Sequence, residues 1–81
     1  MAKKQLQLVI SDNLVSEPFL YQLVKQFDIV PSVRNARVEK GSMSMTLEIS
    51  AGNEDVLEHG VNYMKDMGIS VSPVFGDIME S

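Results

Sequence analysis

Two segments of this chain carry an apolar side chain at every second position, and no other pattern in the chain limits its possible folds as strongly. The apolar positions are alternate residues in 6–10 and again in 43–49. Successive side chains of a strand point to opposite faces of a sheet, so each segment predicts a strand with one buried face. The first strand is expected over about residues 4–11. The two segments are the most regular in the chain, which favours a central place in the sheet.

A helical apolar pattern follows each of these strands. Ser16 and Pro18 are residue types typical of a helix start, and the first helix is predicted over about residues 16–28. Asn53 is the expected N-cap of the second helix, and Gly68 is expected just beyond its end. The stripes expected to face the core comprise Phe19, Leu20, Leu23, Val24 and Phe27, and then Val56, Leu57, Val61 and Met64.

The remaining segments complete a repeated order of elements. Residues 30–40 are rich in valine but include Pro31 and three cations, which favours a strand at the edge of a sheet. A last strand is expected over residues 69–75, before a polar tail over 76–81. The order β-α-β-β-α-β predicts an α+β, ferredoxin-like sandwich with a four-stranded antiparallel sheet and both helices on one face. We expect residues 1–81 to form one domain, with its core over about 5–75.

The composition excludes several kinds of site. Without any cysteine, the chain has no thiolate nucleophile, no disulfide and no ligands for an iron–sulfur cluster. The single histidine, His59, cannot build a zinc site alone. We therefore expect no metal or other cofactor. No apolar run approaches the ~20 residues of a membrane span or forms the core of a signal peptide, so we expect no membrane span and a cytoplasmic location.

The acidic balance argues against nucleic acid as a partner. The formal net charge is −4 and the isoelectric point is about 4.7, which gives no long-range attraction for a phosphate backbone. The sheet face away from the helices is expected to have no aromatic ring on which a base could stack. The residues expected on that face are Gln5, Gln7, Val9, Ser44, Thr46 and Glu48.

A small number of polar side chains remain as candidates for chemistry. His59 could act as a general base, but no nucleophile and carboxylate are arranged around it, so a surface helix residue is the simpler interpretation. Asp12 and Asn13 could contact the amino group of a ligand or could serve only as turn residues. Tyr21 lies on the polar side of its helix and is either a solvent-edge residue or an interface anchor. We expect no enzymatic activity.

Several segments, spread over about residues 5–75, together match one known pattern. They are Glu17-Pro18-Phe19-Leu20-Tyr21-Gln22-Leu23-Val24-Lys25-Gln26-Phe27-Asp28, Ala36-Arg37-Val38, Gly41, Leu47-Glu48-Ile49, Asn62-Tyr63-Met64-Lys65 and Gly68-Ile69-Ser70-Val71. This pattern resembles the NIL domain, an ACT-like module with a ferredoxin-like fold. The family is best known as the C-terminal regulatory domain of methionine-importer ATPases, and it also occurs alone or fused to ferredoxin domains.

The resemblance implies a site on the second strand. In the importers the domain is similar to a sensor that binds methionine between two domain copies and so inhibits transport. The Asn-Ile-Leu segment that names the family corresponds here to Ser32-Val33-Arg34. The resemblance therefore implies that residues 32–35, namely Ser32, Val33, Arg34 and Asn35, contact a ligand or a partner copy, with Asp12 and Asn13 contributing from a loop. The guanidinium of Arg34 would suit a carboxylate.

Two functions of different kinds remain open. The first is a non-catalytic regulatory module that forms a homodimer and binds an amino acid such as methionine at the interface. The second is a protein-interaction subunit without a small ligand, which docks its open sheet face or an edge strand on a partner of sulfur or methionine metabolism. Dimerisation is expected in either case to favour an edge strand, because an exposed edge is ready to pair.

Overall fold

The elements of the chain follow the predicted order in the computed structural model, which describes residues 1–11 and 18–74. The strands are β1 (Ala2–Ser11), β2 (Val30–Glu39), β3 (Ser42–Ala51) and β4 (Ser70–Pro73), and the helices are α1 (Phe19–Phe27) and α2 (Glu54–Asp66). The ferredoxin-like α+β fold expected from the sequence is confirmed.

β1 and β3 form the centre of the sheet, as their regular alternation predicted. The strand order is β2-β3-β1-β4, and each neighbouring pair is antiparallel. β1 and β3 pair over their whole length, from Ala2 opposite Ala51 to Ser11 opposite Ser42. A slip of one residue would turn every apolar side chain of these strands to the wrong face, so the alternation fixes their register.

The core lies between one face of the sheet and the helices. Alternate residues of β1 and β3 point into it, and each helix adds a short apolar stripe. Burying one such side chain stabilises the fold by about 1.5–3 kcal/mol relative to leaving it in water. The buried residues are Leu6, Leu8, Ile10, Phe19, Leu23, Ile29, Met45, Leu47, Ile49, Ala51, Leu57, Met64 and Ile69.

α2 begins and ends as the sequence predicted. Asn53 is its N-cap, and the Asn53 side-chain oxygen Oδ1 accepts a hydrogen bond from the backbone N–H of Val56 at 3.0 Å. Gly68 follows the C-cap with a φ of 99°, in the left-handed region that favours glycine. Gly60 is buried within the helix, and a Cβ placed there would overlap Cδ1 of Ile29. Glycine at this position therefore permits a close approach between α2 and the segment after α1.

α1 differs from its prediction in two respects. The helix begins at Phe19, with Pro18 at the N-cap position and no side-chain cap hydrogen bond. The predicted cap, Ser16, lies outside the described residues. Val24 was expected in the apolar stripe but is 50% exposed, because it is turned about 100° around the helix axis from the fully buried Leu23. α1 buries a narrower stripe than predicted, centred on Leu23 and Phe19.

A left-handed residue ends α1. Asp28 has a φ of 58°, and its backbone N–H bonds to the carbonyl of Val24 at 3.1 Å. The next N–H, of Ile29, bonds to the carbonyl of Leu23 at 3.1 Å. Aspartate adopts this conformation at a cost that glycine does not incur. The sharp turn directs Ile29 into the core, where its side chain is fully buried.

The opposite face of the sheet remains partly exposed, as expected. Its central polar side chains are half-buried by their neighbours, and the hydroxyl of Thr46 donates a hydrogen bond to Oε1 of Gln7 at 2.8 Å across the two central strands. Val9 on the same face is exposed. Within residues 1–11 and 18–74, neither helix has the length and apolar character needed to cross a membrane.

Candidate interaction site at the β2 edge

β2 is an edge strand whose outer side is not paired with any other described strand, which agrees with the prediction from Pro31 and the cations. Among the described strands its one neighbour is β3. Every residue of β2 is exposed apart from Pro31, which is intermediate. Three apolar side chains stand out on it: Val30 is 64% exposed, Val33 47% and Val38 79%. A long edge with exposed apolar side chains is a surface on which another strand can pair.

A bulge interrupts β2 at its midpoint. Val33 pairs with Leu47 of β3, and Asn35 pairs with the next residue, Thr46, so that Arg34 is the extra residue. Asn35 shares the open face with Thr46, whose hydroxyl bonds to Gln7 there. The side chain of Arg34 also reaches the open face, because it contacts a carboxylate on β3. The bulge therefore places two adjacent side chains, Arg34 and Asn35, on one face of the sheet.

The carboxylate that holds Arg34 belongs to Glu48. Its Oε1 lies 3.5 Å from Nη2 of Arg34, and its Oε2 lies 3.9 Å from Nζ of Lys3. Further along β2, Nη1 of Arg37 lies 3.7 Å from Oε2 of Glu39. Ion pairs between exposed side chains contribute only about 0–1 kcal/mol. Arg34 is thus directed to the open face by a half-buried carboxylate, while its own side chain is 53% exposed.

The structure brings together the four residues that were predicted on the second strand. Ser32 pairs with Glu48 and so lies on the open face beside Arg34 and Asn35. Val33 pairs with the buried Leu47 and therefore points to the helix side of the sheet. The segment thus presents polar groups on one face and an exposed apolar group on the other.

The other candidate residues lie apart from this group or outside the described chain. Asp12 and Asn13 lie outside the described residues. Tyr21 is on the exposed side of α1, where Nζ of Lys25 lies 5.8 Å from its ring centroid, a cation–π distance. His59 is exposed on α2. In the described part of the chain there is no group of three or more His, Cys, Asp or Glu side chains placed to hold a metal ion.

The sequence interpretation missed the bulge, although the residues carry a signal for it. Val33, Ala36 and Val38 all lie on the helix side of the sheet, since they pair with the inward-facing residues of β3. The step from Val33 to Ala36 is three residues rather than two, which is the shift that one extra residue in a strand produces.

A second concave feature lies between α2, β1 and β4. This cleft has a volume of about 160 Å³, an apolar floor that includes Leu6 and Val61, and a rim with Lys4, Glu58 and Lys65. The sequence did not indicate it, because its residues come from elements that are adjacent only after folding. Of its charged groups, Glu58 and Lys65 are exposed, and Nζ of Lys4 lies 3.5 Å from Oε1 of Glu54. An ion pair between such accessible side chains holds them only weakly. The β2 edge, where the bulge fixes the direction of the side chains, is the better-defined site.

Comparison with known proteins identifies the family. A search of curated proteins finds no match. Among solved structures, the chain is similar to the C-terminal domain of an ABC transporter ATP-binding protein from Enterococcus faecalis. The TM-score is 0.75 at 12% sequence identity, with 88% of this chain and 82% of the other covered, which supports the fold alone. The model of the NIL domain matches residues 4–73. This chain therefore belongs to the NIL domain family.

Proposed function

We propose that this small regulatory module is a non-catalytic cytoplasmic sensor that acts as a homodimer and binds an amino acid where two β2 edges meet. The observation that carries the proposal is the edge of β2, where Arg34 and Asn35 project on the open face, while Val33 and Val38 form an exposed apolar strip on the helix side. Membership of the NIL family supports a regulatory role. The similarity to the C-terminal domain of a transporter ATP-binding protein points in the same direction.

The exposed edge supports a dimer of modest strength. Val33 and Val38 lose water contact if a second strand covers the edge, and the free backbone groups gain partners. The contact uses one strand of ten residues from each copy, whereas a stable interface typically uses about 20–30 residues on each side. We therefore expect an equilibrium between monomer and dimer rather than a permanent dimer.

A weak dimer is the arrangement that a ligand can regulate. A molecule that binds only where two copies meet stabilises the dimer by RT ln(1 + [L]/Kd), about 2.7 kcal/mol at a concentration of 100 Kd. That is roughly a hundredfold shift in the association constant. The fraction of chains in the dimer would thus rise with the concentration of the amino acid, and a partner protein that binds the dimer could respond to it.

The polar groups at the edge fit the two ends of an amino acid. The guanidinium of Arg34 can donate two parallel hydrogen bonds to a carboxylate. The side-chain oxygen of Asn35 can accept from an ammonium group, while its amide can donate to the same carboxylate. Ser32 adds a hydroxyl on the same face. Arg34 is exposed and Glu48 is half-buried, and Glu48 keeps Nζ of Lys3 within 3.9 Å when Arg34 turns to the ligand carboxylate. The exchange therefore does not leave Glu48 without a cation.

The test is isothermal titration calorimetry with methionine, homocysteine and a panel of other amino acids at millimolar concentration. Methionine is the leading ligand because of the family. Arg34→Gln should weaken binding by about tenfold or more, since a hydrogen bond to a charged group contributes ~1.5–3 kcal/mol. Arg37→Gln is the matched control, because Arg37 is on the same strand and is also in an exposed ion pair. An absence of heat with every amino acid would eliminate the ligand.

Dimerisation is tested separately by light scattering over a concentration series. The apparent mass should rise with protein concentration, and it should rise at lower concentration when the ligand is present. Val38→Lys should oppose association, because it places a charge on the exposed apolar strip without touching the core. A strict monomer at high micromolar concentration, with and without amino acids, would eliminate the dimer.

The second candidate function uses the same edge for a different partner. Main-chain groups of a free strand can pair with a strand from another protein as well as from a second copy. In that case a pull-down with the wild-type chain should recover a partner of sulfur or methionine metabolism, and the Arg34→Glu chain should not recover it. No amino acid should bind to the wild-type chain in calorimetry. Loss with Tyr21→Ala instead would move the contact to α1.

A further inference from the structure

We infer that two copies of β2 pair in a single register, in which Val33 of one copy faces Ala36 of the other and the two-fold axis passes between Arg34 and Asn35. This inference rests on the proposed homodimer and adds its geometry. It also makes each ligand site composite, with Arg34 from one copy beside Asn35 from the other.

The position of the bulge carries the argument. β2 has ten residues, and its two central residues are Arg34 and Asn35, which are also the two that the bulge turns to the same face. Residues that face each other in an antiparallel pair must lie on the same side of the sheet. If only one strand of a pair has a bulge, residues beyond the bulge no longer face residues on the same side of the sheet. When β2 pairs with a second copy of itself about its midpoint, the bulge of one copy faces the bulge of the other, and the faces match on both sides of it.

All ten residues of β2 then find a partner on their own face. The apolar side chains of the helix side meet each other, and on the open face polar side chains meet each other except at the ends, where Val30 faces Glu39. No two like charges face each other. The facing pairs are Val30 with Glu39, Pro31 with Val38, Ser32 with Arg37, Val33 with Ala36, and Arg34 with Asn35.

Other registers fail on the same alternation. An axis through Arg34 sets Val33 against Asn35, which lie on opposite faces. A two-fold axis between Asn35 and Ala36 would make these two residues face each other, although they lie on opposite faces of the sheet. The same axis would set Arg34 opposite Arg37, a like-charge pair that is destabilising.

Some other registers also set each residue against one on its own face, but in these registers no more than half of the residues of β2 are paired. An axis at Arg37 sets that cation against its own copy. An axis at Ser32 brings Pro31, which has no N–H to donate, next to the centre of the ladder. The central register therefore pairs the most backbone and opposes the fewest charges.

The register predicts which side chains can be cross-linked between copies. Directly opposite residues have Cα atoms about 4.5–5.5 Å apart, within the ~4.4–6.8 Å that a disulfide spans. Ala36 of one copy is offset from Ala36 of the other by three residues, or roughly 10 Å along the strands, which is too far. Because the natural chain has no cysteine, introduced thiols are the only ones present.

The experiment mixes Val33→Cys chains with Ala36→Cys chains under mild oxidation, with one of the two carrying a mass tag. The mixed disulfide should form about tenfold faster than a disulfide of either variant with itself, because only the mixed pair has bonding geometry. A mixture of Pro31→Cys with Val38→Cys chains should behave in the same way and provides a second, independent pair. All four positions lie outside the buried core, so the fold is expected to tolerate them.

Light scattering on the same samples separates the two possible failures. A dimer in which Ala36→Cys or Val38→Cys links preferentially to itself would overturn the register and leave the dimer intact. A dimer in which neither mixture cross-links would show that another surface forms the contact, and it too would overturn the register. Samples that stay monomeric would overturn the proposed dimer and the register with it.

Discussion

The contact between Gly60 and Ile29 offers the sharpest test of the packing, because any side chain introduced at position 60 would compete with Ile29 for the same space. Alanine at position 60 adds a Cβ that overlaps Cδ1 of Ile29. In an open helix the substitution would stabilise by up to about 1 kcal/mol. Overpacking of a core costs about 1–3 kcal/mol. The Ile29 side chain is fully buried, so its methyl group can move aside only against other core side chains and not into solvent. Gly60→Ala should therefore lower the free energy of unfolding by ~1 kcal/mol.

A double-mutant cycle isolates the clash. Ile29→Val removes Cδ1 and should alone cost about 0.5–1.5 kcal/mol. In the double variant the new Cβ occupies the space that Cδ1 left, so the stability should return close to that of the natural chain. The coupling energy should be ~2 kcal/mol, well above the ~0.3–0.5 kcal/mol within which independent sites add.

The assay is urea denaturation followed by far-ultraviolet circular dichroism at one fixed protein concentration, since dimer formation makes stability depend on concentration. Gly52→Ala is the control, because no atom lies within 4 Å of its added Cβ. It should be neutral or stabilise by up to ~1 kcal/mol. A Gly60→Ala variant more stable than the natural chain, or a cycle without coupling, would refute the close approach of α2 to Ile29.

Three further predictions concern single positions. Asn53→Ala removes the acceptor for the Val56 N–H and should lower the free energy of unfolding, measured by thermal unfolding, by ~1 kcal/mol. Asn53→Asp keeps a side-chain oxygen at this position and should not lower it, so equal losses in the two variants would contradict the cap. Asp28→Gly should raise the free energy of unfolding by about 0.5 kcal/mol in urea, because glycine accepts the φ of 58° without strain, and a decrease would contradict this. Leu47→Ala should cost ~2–5 kcal/mol by leaving a cavity at the centre of the sheet, and a urea midpoint close to that of the natural chain would contradict that position.

Most of the fold could be predicted because the strongest local patterns agree with their final environment. The alternation in β1 and β3 is strict because both strands are central and covered on one face only. The caps of α2 are local as well, since Asn53 and Gly68 act within a few residues of themselves. Val24 was misassigned because a stripe of period 3.6 does not reveal how wide a face the neighbouring elements will cover.

The candidate site was only partly predictable. The segment that contains Arg34 and Asn35 was singled out through a family resemblance, and the structure brings its residues together on one strand. The Arg34–Glu48 contact depends on how β2 is registered against β3, which local residue preferences do not specify. The bulge had a weak signal in the three-residue step from Val33 to Ala36. Unless the pairing of β2 with β3 is known, a three-residue step is equally consistent with a turn or an irregular edge.

The two edges of the sheet differ in length, and the difference limits how large an assembly can become. Among the described residues, the ladder of β4 with β1 runs from Leu6 opposite Pro73 to Val9 opposite Ser70. A short strand that ends in proline is a poor template for another strand. In the proposed dimer both long edges are consumed at the axis, and a β4 strand lies at each outer end. The contact is thus self-complementary and closed, so strand addition stops at two copies instead of continuing into a filament.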